Sequence, residues 1–348
     1  MTNRISPMSD DEFSDFIERQ TPKNINIVKY LITTRNKLKE FNKIAVSYSG
    51  GSDSDIVLDL IELVKPPEGG EIQYVFFDTG LEWDATLRHV RATSDKYGVD
   101  IEIRKPKKPI PVAVKEYGVP FLTKDVSNKI YRAQYHNFDW TLSKEEVAGW
   151  SPDEAKGQVN VQGWWSGTYG RSFSIDRHYL LRDFLQSYPP EMKISDKCCD
   201  YAKKNVAKDF NKEYNPDLRI DGQRQCESGR RSAIHSSCFE PATIYGAAHY
   251  MPLFFWSNED KAEYKQWRSI KYSDCYEIWG LERTGCLGCP LANDAEKELN
   301  IALPFEPIKV KAAYSVFGNS YEYRKKYAAY KEARKNEFGT EKEYERTQ

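Results

Sequence analysis

Two sets of residues in this chain have types and spacing that could do chemistry. The first is Ser49-Gly50-Gly51-Ser52-Asp53-Ser54, set between an apolar run and a helical pattern. Glycines let a backbone approach an anion, and a helix start beyond them offers free N–H groups at the positive end of its dipole. Ser49, Ser52 and Ser54 add hydroxyl donors, so the segment is a candidate phosphate loop. It carries neither the GK[ST] ending of a Walker loop nor GxGxxG, and it also fits a plain polar strand-to-helix turn. The second set is Cys198 and Cys199 with Cys286 and Cys289, two local pairs whose nearer members, Cys199 and Cys286, stand 87 positions apart. Four thiolates suit a [4Fe–4S] cluster or a tetrahedral zinc ion, although adjacent cysteines are unusual for zinc. Cys226, Cys238 and Cys275 stand outside the set and read as small buried hydrophobes. Among these, Cys226 has Arg224 and Arg230 close by in sequence, cations of the kind that lower a thiol pKa. None of the five histidines pairs at a metal-ligand spacing such as HExxH, and there is no GxSxG elbow.

The elements that must position these residues read as alternating strands and helices. Apolar runs predict strands over Ile44–Ser49, Ile72–Phe77, Val99–Ile103 and Leu218–Asp221, with helices over Asp55–Val64 and Trp83–Tyr97. Pro66, Pro67, Gly69 and Gly70 break the chain between the first helix and the second strand. The order predicts an α/β fold: a doubly wound, mostly parallel sheet with an irregular insertion and a helical C-terminal tail. The expected domains are a helical segment over 1–40, a nucleotide-binding domain over 41–292, and a helical tail over 293–348. Trp140, Trp150, Trp164 and Trp165 show no periodicity and mark an insertion at about 137–177, while the Pro- and Lys-rich stretch 105–120 reads as a loop or lid.

Composition removes several classes of function. With 51 basic and 52 acidic residues the formal charge is -1, so no global positive field advertises nucleic acid. A chain that is 40% hydrophobic and 30% charged is too apolar to be disordered and too polar for a membrane protein. No apolar run approaches the roughly 20 residues that span a bilayer. Residues 1–18 lack the apolar core of a secretory signal, and seven unevenly clustered cysteines suit a reducing compartment. The expectation is a cytoplasmic protein without a membrane partner.

Five segments together resemble the PP-loop ATP pyrophosphatases, in the branch of the adenylyl-sulfate and phosphoadenylyl-sulfate reductases. Ser49 to Ser54 is similar to that family's SGGxDS signature, and Phe76-Phe77-Asp78-Thr79-Gly80-Leu81-Glu82 to its DTG segment. The stretch Gly222-Gln223-Arg224-Gln225-Cys226-Glu227-Ser228 with Arg230 and Arg231 resembles GxRxxES…R. Pro252-Leu253-Phe254-Phe255-Trp256 with Asp260 and Tyr264 resembles PLxxW…D…Y, and residues 283–290 match RTGCxxCP. The resemblance covers about residues 40 to 292. It implies an adenine nucleotide alpha hydrolase-like fold and ATP or another adenine nucleotide, with or without Mg, as ligand. Cofactor-binding residues would be Ser49, Gly50, Gly51, Ser52, Asp53, Ser54, Asp78, Thr79 and Gly80, and catalytic ones Asp53, Arg224 and Arg230. Planar guanidinium groups suit an anionic substrate, though surface pairing with Glu227 and Glu240 is the commoner fate of such arginines. The order of Cys198, Cys199, Cys286 and Cys289 is similar to the cluster site of the adenylyl-sulfate reductases, which implies [4Fe–4S] with zinc as the alternative. Ser52 departs from the resemblance, since many ATP-splitting members carry Lys there.

Three functions, two of them reactions, are compatible with this resemblance. One is ATP-dependent activation of an acceptor with release of pyrophosphate during sulfur insertion, as in the DNA phosphorothioation and tRNA thiolation members. A second is reduction of adenylyl sulfate or phosphoadenylyl sulfate, and a third is nucleotide binding without turnover. Family reductases use a nucleophilic cysteine in an ECGxH-like tail, and no cysteine follows Cys289 here, so the first reaction is the expectation. Its partners would be a nucleic-acid or other acceptor and a sulfur-donor protein. The basic run Arg104-Lys105-Pro106-Lys107-Lys108 and a tail holding Arg324, Lys325, Lys326, Lys331, Arg334 and Lys335 among tyrosines fit a nucleic-acid track. They fit the solvated face of a helix better.

Overall fold

Ile44, Ala45 and Val46 are buried at the centre of a sheet whose other strands flank them. The computed structural model describes residues 6–170, 173–227, 236–243 and 246–338. Its six strands are β1 (Lys43–Ser47), β2 (Glu71–Phe77), β3 (Ile101–Arg104), β4 (Leu218–Ile220), β5 (Phe239–Glu240) and β6 (Ala248–Tyr250). They lie in the order β3-β2-β1-β4-β6-β5. Every neighbouring pair is parallel except β5 with β6. Ile44 stands opposite Ile72 on one side and Leu218 on the other. Short, near-continuous apolar runs are what a parallel sheet covered on both faces requires.

Connectivity fixes where a ligand can bind. From β1 the chain passes through α3 (Ser52–Val64) to β2, and through α4 (Asp84–Tyr97) to β3, always toward one edge. It then returns to β4 on the opposite side of β1, so strand order reverses between β1 and β4. Open α/β sheets bind ligands at such a reversal, outside the carboxyl ends of the strands. Ser49–Ser54 follows β1 and Asp221–Gln223 follows β4, which puts both segments at that crevice.

The chain divides into two compact units. The first holds residues 1–106 and 203–286 and includes the whole sheet. Its N-terminal helices, α1 (Asp10–Arg19) and α2 (Ile25–Glu40), are part of the sheet's own core: Phe13, Phe16, Ile27, Leu31 and Leu38 pack in one cluster with Ile44, Leu60 and Tyr250. Ser9 and Glu12 cap α1 reciprocally, through Glu12 N to Ser9 Oγ at 3.3 Å and Ser9 N to Glu12 Oε2 at 2.7 Å.

Helix α3 is buried on nearly every side although it carries Asp55, Asp59 and Glu62. Tyrosine hydroxyls meet all three carboxylates: Tyr48 donates to Asp55 (2.6 Å), Tyr97 and Tyr264 to Asp59 (2.7 and 2.9 Å), and Tyr74 to Glu62 (2.9 Å). Arg268 adds its Nε–H to Asp59 at 2.8 Å. Burial first, then the adjoining carboxylate, pushes the Tyr48, Tyr74, Tyr97 and Tyr264 phenols up, so each remains a donor.

The second unit holds residues 107–202 and 287–348, so the domain expected over 41–292 is not one continuous body. Its core gathers Phe121, Trp164, Trp165, Phe184 and Leu185 with Tyr327 and Tyr330. The expected lid over 105–120 contains the helix Ile110–Tyr117. The region 137–177, expected to be irregular, contains the helices Lys144–Ala148 and Val159–Ser166, too short to display a helical period. Phe138 meets Trp140, Trp150 and Trp165 edge-on at 5.1–5.8 Å, which explains the tryptophan density. The described part of the tail forms two helices, Ala295–Ala302 and Pro307–Phe338, and the rings of Tyr323, Tyr327 and Tyr330 in the second lie 5.0–5.6 Å from Phe184. These tyrosines pack inward and do not form a stacking surface. Among the described residues, no helix is long and apolar enough to cross a membrane.

Candidate functional site

The segment after β1 turns sharply at Gly50, whose φ of +67° lies in the left-handed region. A Cβ there would fall 2.9 Å from Thr86 Cγ2, so α4 leaves room for hydrogen alone. Gly51 caps α3. The Ser54 hydroxyl lies 3.1 Å from the Gly51 N–H and 2.8 Å from the Gly51 carbonyl, and Ser49 Oγ donates to Ser54 Oγ at 3.1 Å. Ser49 and Ser54 with the two glycines therefore close a tight loop over the first turn of the helix, the kind of arrangement in which N–H groups recognise an anion.

Asp53 lies in that first turn and draws two cations. Its Oδ1 is 3.0 Å from Arg224 Nε and 2.9 Å from Lys261 Nζ. Arg224, 7% exposed, also donates from NH1 to Asn258 Oδ1 at 3.0 Å. Lys261 comes from the helix Asn258–Arg268 and reaches Ser52 Oγ at 2.6 Å. Above the loop, Tyr276 OH is 2.9 Å from Thr284 Oγ1 and accepts from the Thr284 N–H at 3.0 Å.

A cavity of about 510 Å³ opens at the strand ends beside this loop. Tyr48, Phe76 and Phe77 supply apolar wall from β1 and β2, while Ser49, Thr284 and Gly285 line the side toward the loop. Glu82, Lys203, Lys204, Asp221 and Gln223 provide polar groups. Burial raises the Glu82 carboxyl above its ordinary range, aided by Asp78, against the opposing charge of Lys203 and a 2.6 Å hydrogen bond from Thr79 Oγ1. Glu82 thus holds its proton more tightly than a surface glutamate. For Asp221, burial favours the neutral acid, but the hydrogen bond and charge of His249 (2.9 Å), with Gln223, outweigh it and hold the carboxyl below its usual range. His249 is raised in turn: burial lowers it, and Asp221 more than compensates.

The structure sorts the expected residues unevenly. Ser49 lines the cavity, and Gly50, Gly51, Ser52, Asp53 and Ser54 form the loop and helix start beside it. Asp78, Thr79 and Gly80 form a turn in which Gly80 N donates to Asp78 Oδ1 at 2.9 Å, and they are not among the described residues lining the cavity. Their place on the wall is taken by Glu82. Arg224 joins Asp53 as a site residue, whereas Arg230 and Arg231 lie outside the described residues. Cys226 is exposed in a 3-10 turn and donates to the Trp256 carbonyl at 3.7 Å. Lys261, Glu82 and Gln223 were missed as site residues. Lys261 is adjacent to Asp260 of the PLxxW…D…Y segment and Glu82 ends the DTG segment, so proximity to a motif was the available signal.

All four cysteines fall among the described residues. Cys198 and Cys199 end the helical turn Lys197–Cys199, Cys286 is the last residue of the first unit, and Cys289 lies in the second. Among the described residues, no group of three or more His, Cys, Asp or Glu side chains is placed to hold a metal ion. Gly288 between Cys286 and Cys289 has a φ of +64°, and a Cβ there would lie 2.7 Å from Tyr321 OH, so the turn of this pair depends on glycine.

Comparison with known proteins adds a family to this geometry. A family model described as the phosphoadenosine phosphosulfate reductase domain matches residues 43–136 and 179–292, more than half of the chain. The unmatched stretch between the two segments coincides with the expected insertion. Two proteins of Methanocaldococcus jannaschii are similar in sequence: MJ0066 is 37% identical over 95 residues, 27% of this chain and 18% of that protein. MJ0973 is 24% identical over 283 residues, 81% of this chain and 49% of that protein. The chain thus spans half or less of the length of these curated relatives. Among solved structures, the phosphoadenylyl-sulfate reductase of Candida auris in a phosphate complex is 17% identical at a TM-score of 0.39, covering 82% of this chain and 98% of that one. The FMN adenylyltransferase of Candida glabrata with FAD and inorganic pyrophosphate is 11% identical at 0.41, covering 79% and 68%. The U34-tRNA thiolase NcsA of Methanococcus maripaludis with its [4Fe-4S] cluster is 12% identical at 0.36, covering 90% and 78%. These structural likenesses are distant, and the assignment rests on the family match together with the strand order and the loop it positions. The chain belongs to the phosphoadenosine phosphosulfate reductase domain family of the PP-loop superfamily.

Proposed function

We propose that this protein is an adenine-nucleotide-dependent enzyme that activates an acceptor with ATP for sulfur transfer. The observation that carries the reading is the crevice between β1 and β4. A phosphate loop with two cations at Asp53 borders a cavity whose other wall is apolar and aromatic, the pairing of surfaces that a nucleotide's phosphates and base require. In this reaction an acceptor oxygen attacks the α-phosphorus, the bond to the bridging oxygen breaks, and pyrophosphate leaves with the electron pair. A sulfur nucleophile from a donor protein then displaces AMP. Arg224, Lys261 and the N–H groups of the loop would hold the departing pyrophosphate, and Glu82 would hydrogen-bond the base or ribose. Cations gathered at the loop suit a pyrophosphate leaving group, and for that reason adenylation is favoured over reduction of an adenylyl sulfate.

Parallel assays test the choice. Calorimetry is expected to show binding of ATP, and incubation with phosphoadenylyl sulfate or adenylyl sulfate and thioredoxin is expected to release no sulfite. Sulfite release at about 1 per second or faster would replace this reading with reduction. Failure to bind any adenine nucleotide would remove both.

Cys198, Cys199, Cys286 and Cys289 enter this reading as ligands of a [4Fe–4S] cluster. The support is the donor set itself, four thiolates in a CC…CxxC order, and the glycine-dependent turn at Gly288. When bound, such a cluster would supply fixed charge or an electron-carrying centre. No step above passes through it. Anaerobically prepared protein is expected to be brown and to contain iron and sulfide, and Cys289→Ser is expected to lose both. A colourless protein with one zinc and no sulfide would replace the cluster by zinc.

A further inference from the structure

Ser49 to Ser54 holds no cation of its own and one carboxylate, Asp53. A polyphosphate brought to this loop would face that negative charge at close range, so the positive charge it needs must come from another element. Two side chains supply it, and they differ in kind. Arg224 is buried and fixed between Asp53 and Asn258. Lys261 carries a compact ammonium on a flexible four-carbon stem and rests on a hydroxyl, Ser52 Oγ at 2.6 Å, as well as on Asp53.

The base of Lys261 is held firmly. Ser257 caps its helix, accepting from Asp260 N at 3.1 Å while Ser257 N donates to Asp260 Oδ2 at 2.9 Å. Asn24 and Asn26 donate to the same carboxylate at 2.8 and 3.3 Å, tying the helix start to α2. Beside the ammonium, 5.7 Å from it, is the ring of Tyr272, whose face favours a cation. A rigid base, a flexible stem, a neutral hydroxyl partner and a carboxylate shared with Arg224 together describe a cation placed to move onto an arriving phosphate.

We propose that Lys261 is the phosphate-positioning residue of this loop, exchanging its contacts with Ser52 and Asp53 for the β- and γ-phosphates of a bound nucleotide. The proposal rests on the nucleotide-binding reading above and assigns its discrimination by phosphate number to one side chain. No covalent step is involved; an ammonium exchanges a hydroxyl and a shared carboxylate for phosphate oxygens.

Calorimetric titration of wild type, Lys261→Met, Lys261→Arg and the double variant Lys261→Met with Ser52→Lys, each with ATP and with AMP, tests it. A charge-assisted hydrogen bond predicts that Lys261→Met weakens ATP about 10- to 100-fold and leaves AMP within about twofold. Lys261→Arg should recover part of the ATP affinity. In the double variant, an ammonium supplied from the loop should recover most of it. Equal losses for ATP and AMP, as a merely structural role would give, overturn the proposal, and so does an unchanged ATP affinity in Lys261→Met. Wild type that binds neither nucleotide overturns the functional reading as well, and is told apart by that control alone.

Discussion

Asp59→Ala is expected to destabilise the first unit by about 3–5 kcal/mol, the cost of leaving a buried charge without its partner. Asp59 is 1% exposed and accepts from Tyr97, Tyr264 and the Arg268 guanidinium, so one truncation strips three donors of their acceptor. Arg268, with its side chain 23% exposed, would retain a charge in a largely dry site. The loss also reaches beyond α3, because Tyr97 belongs to α4 and Tyr264 to the helix Asn258–Arg268. In a thermal melt the midpoint should fall by roughly 10 °C for a unit of this size. Asp59→Asn keeps one acceptor oxygen and should lose about half as much. A shift of only a degree or two in Asp59→Ala would mean that the three donors find other partners, and that the tyrosine ladder along α3 contributes little.

That ladder marks the limit of what the sequence discloses. The apolar runs of β1 and β2 were legible because consecutive residues there are buried on both faces of the sheet, whereas β3 and β4 alternate, with Glu102 and Arg219 set between apolar residues. The strands β5 and β6 were not, since they are two and three residues long and one is centred on His249. For α3, nothing local in DIVLDLIELV shows that Asp55, Asp59 and Glu62 are buried against tyrosines, which stand between 7 and 205 positions from their carboxylates. The same holds at the site. A loop of serines and glycines announces itself locally, whereas the ammonium that touches Ser52 belongs to a residue 209 positions away. Only packing brings the two together. The division into two units was also hidden, because the second is assembled from residues 107–202 and 287–348, and the Pro- and Lys-rich stretch at 105–120 that marks where the chain leaves the first unit reads locally as a loop.

Gly51→Leu is expected to abolish binding of every adenine nucleotide while leaving the fold intact. The backbone permits the change, for Gly51 has a φ of -93° and ψ of 161°, an extended conformation that any residue adopts. The side chain is what the site cannot accept. A Cβ at this position would lie 3.2 Å from Ser49 Oγ, 3.3 Å from Tyr276 OH and 3.5 Å from Thr284 Oγ1. The remaining carbons of leucine must therefore extend into the space between the loop and the cavity wall that Ser49 and Thr284 share. A phosphate would lose its approach to the N–H groups at the start of α3. Two such charge-assisted bonds at about 1.5–3 kcal/mol each amount to a loss of at least ~100-fold. Gly51→Ala, with a single methyl at tight but tolerable distances, should fall between wild type and Gly51→Leu. The pattern differs from that of Lys261→Met, because AMP and ATP should suffer together when the loop itself is blocked. Titration of both nucleotides, with a thermal melt to verify the fold, decides the matter: undiminished affinity in a folded Gly51→Leu protein would place the nucleotide somewhere other than this loop.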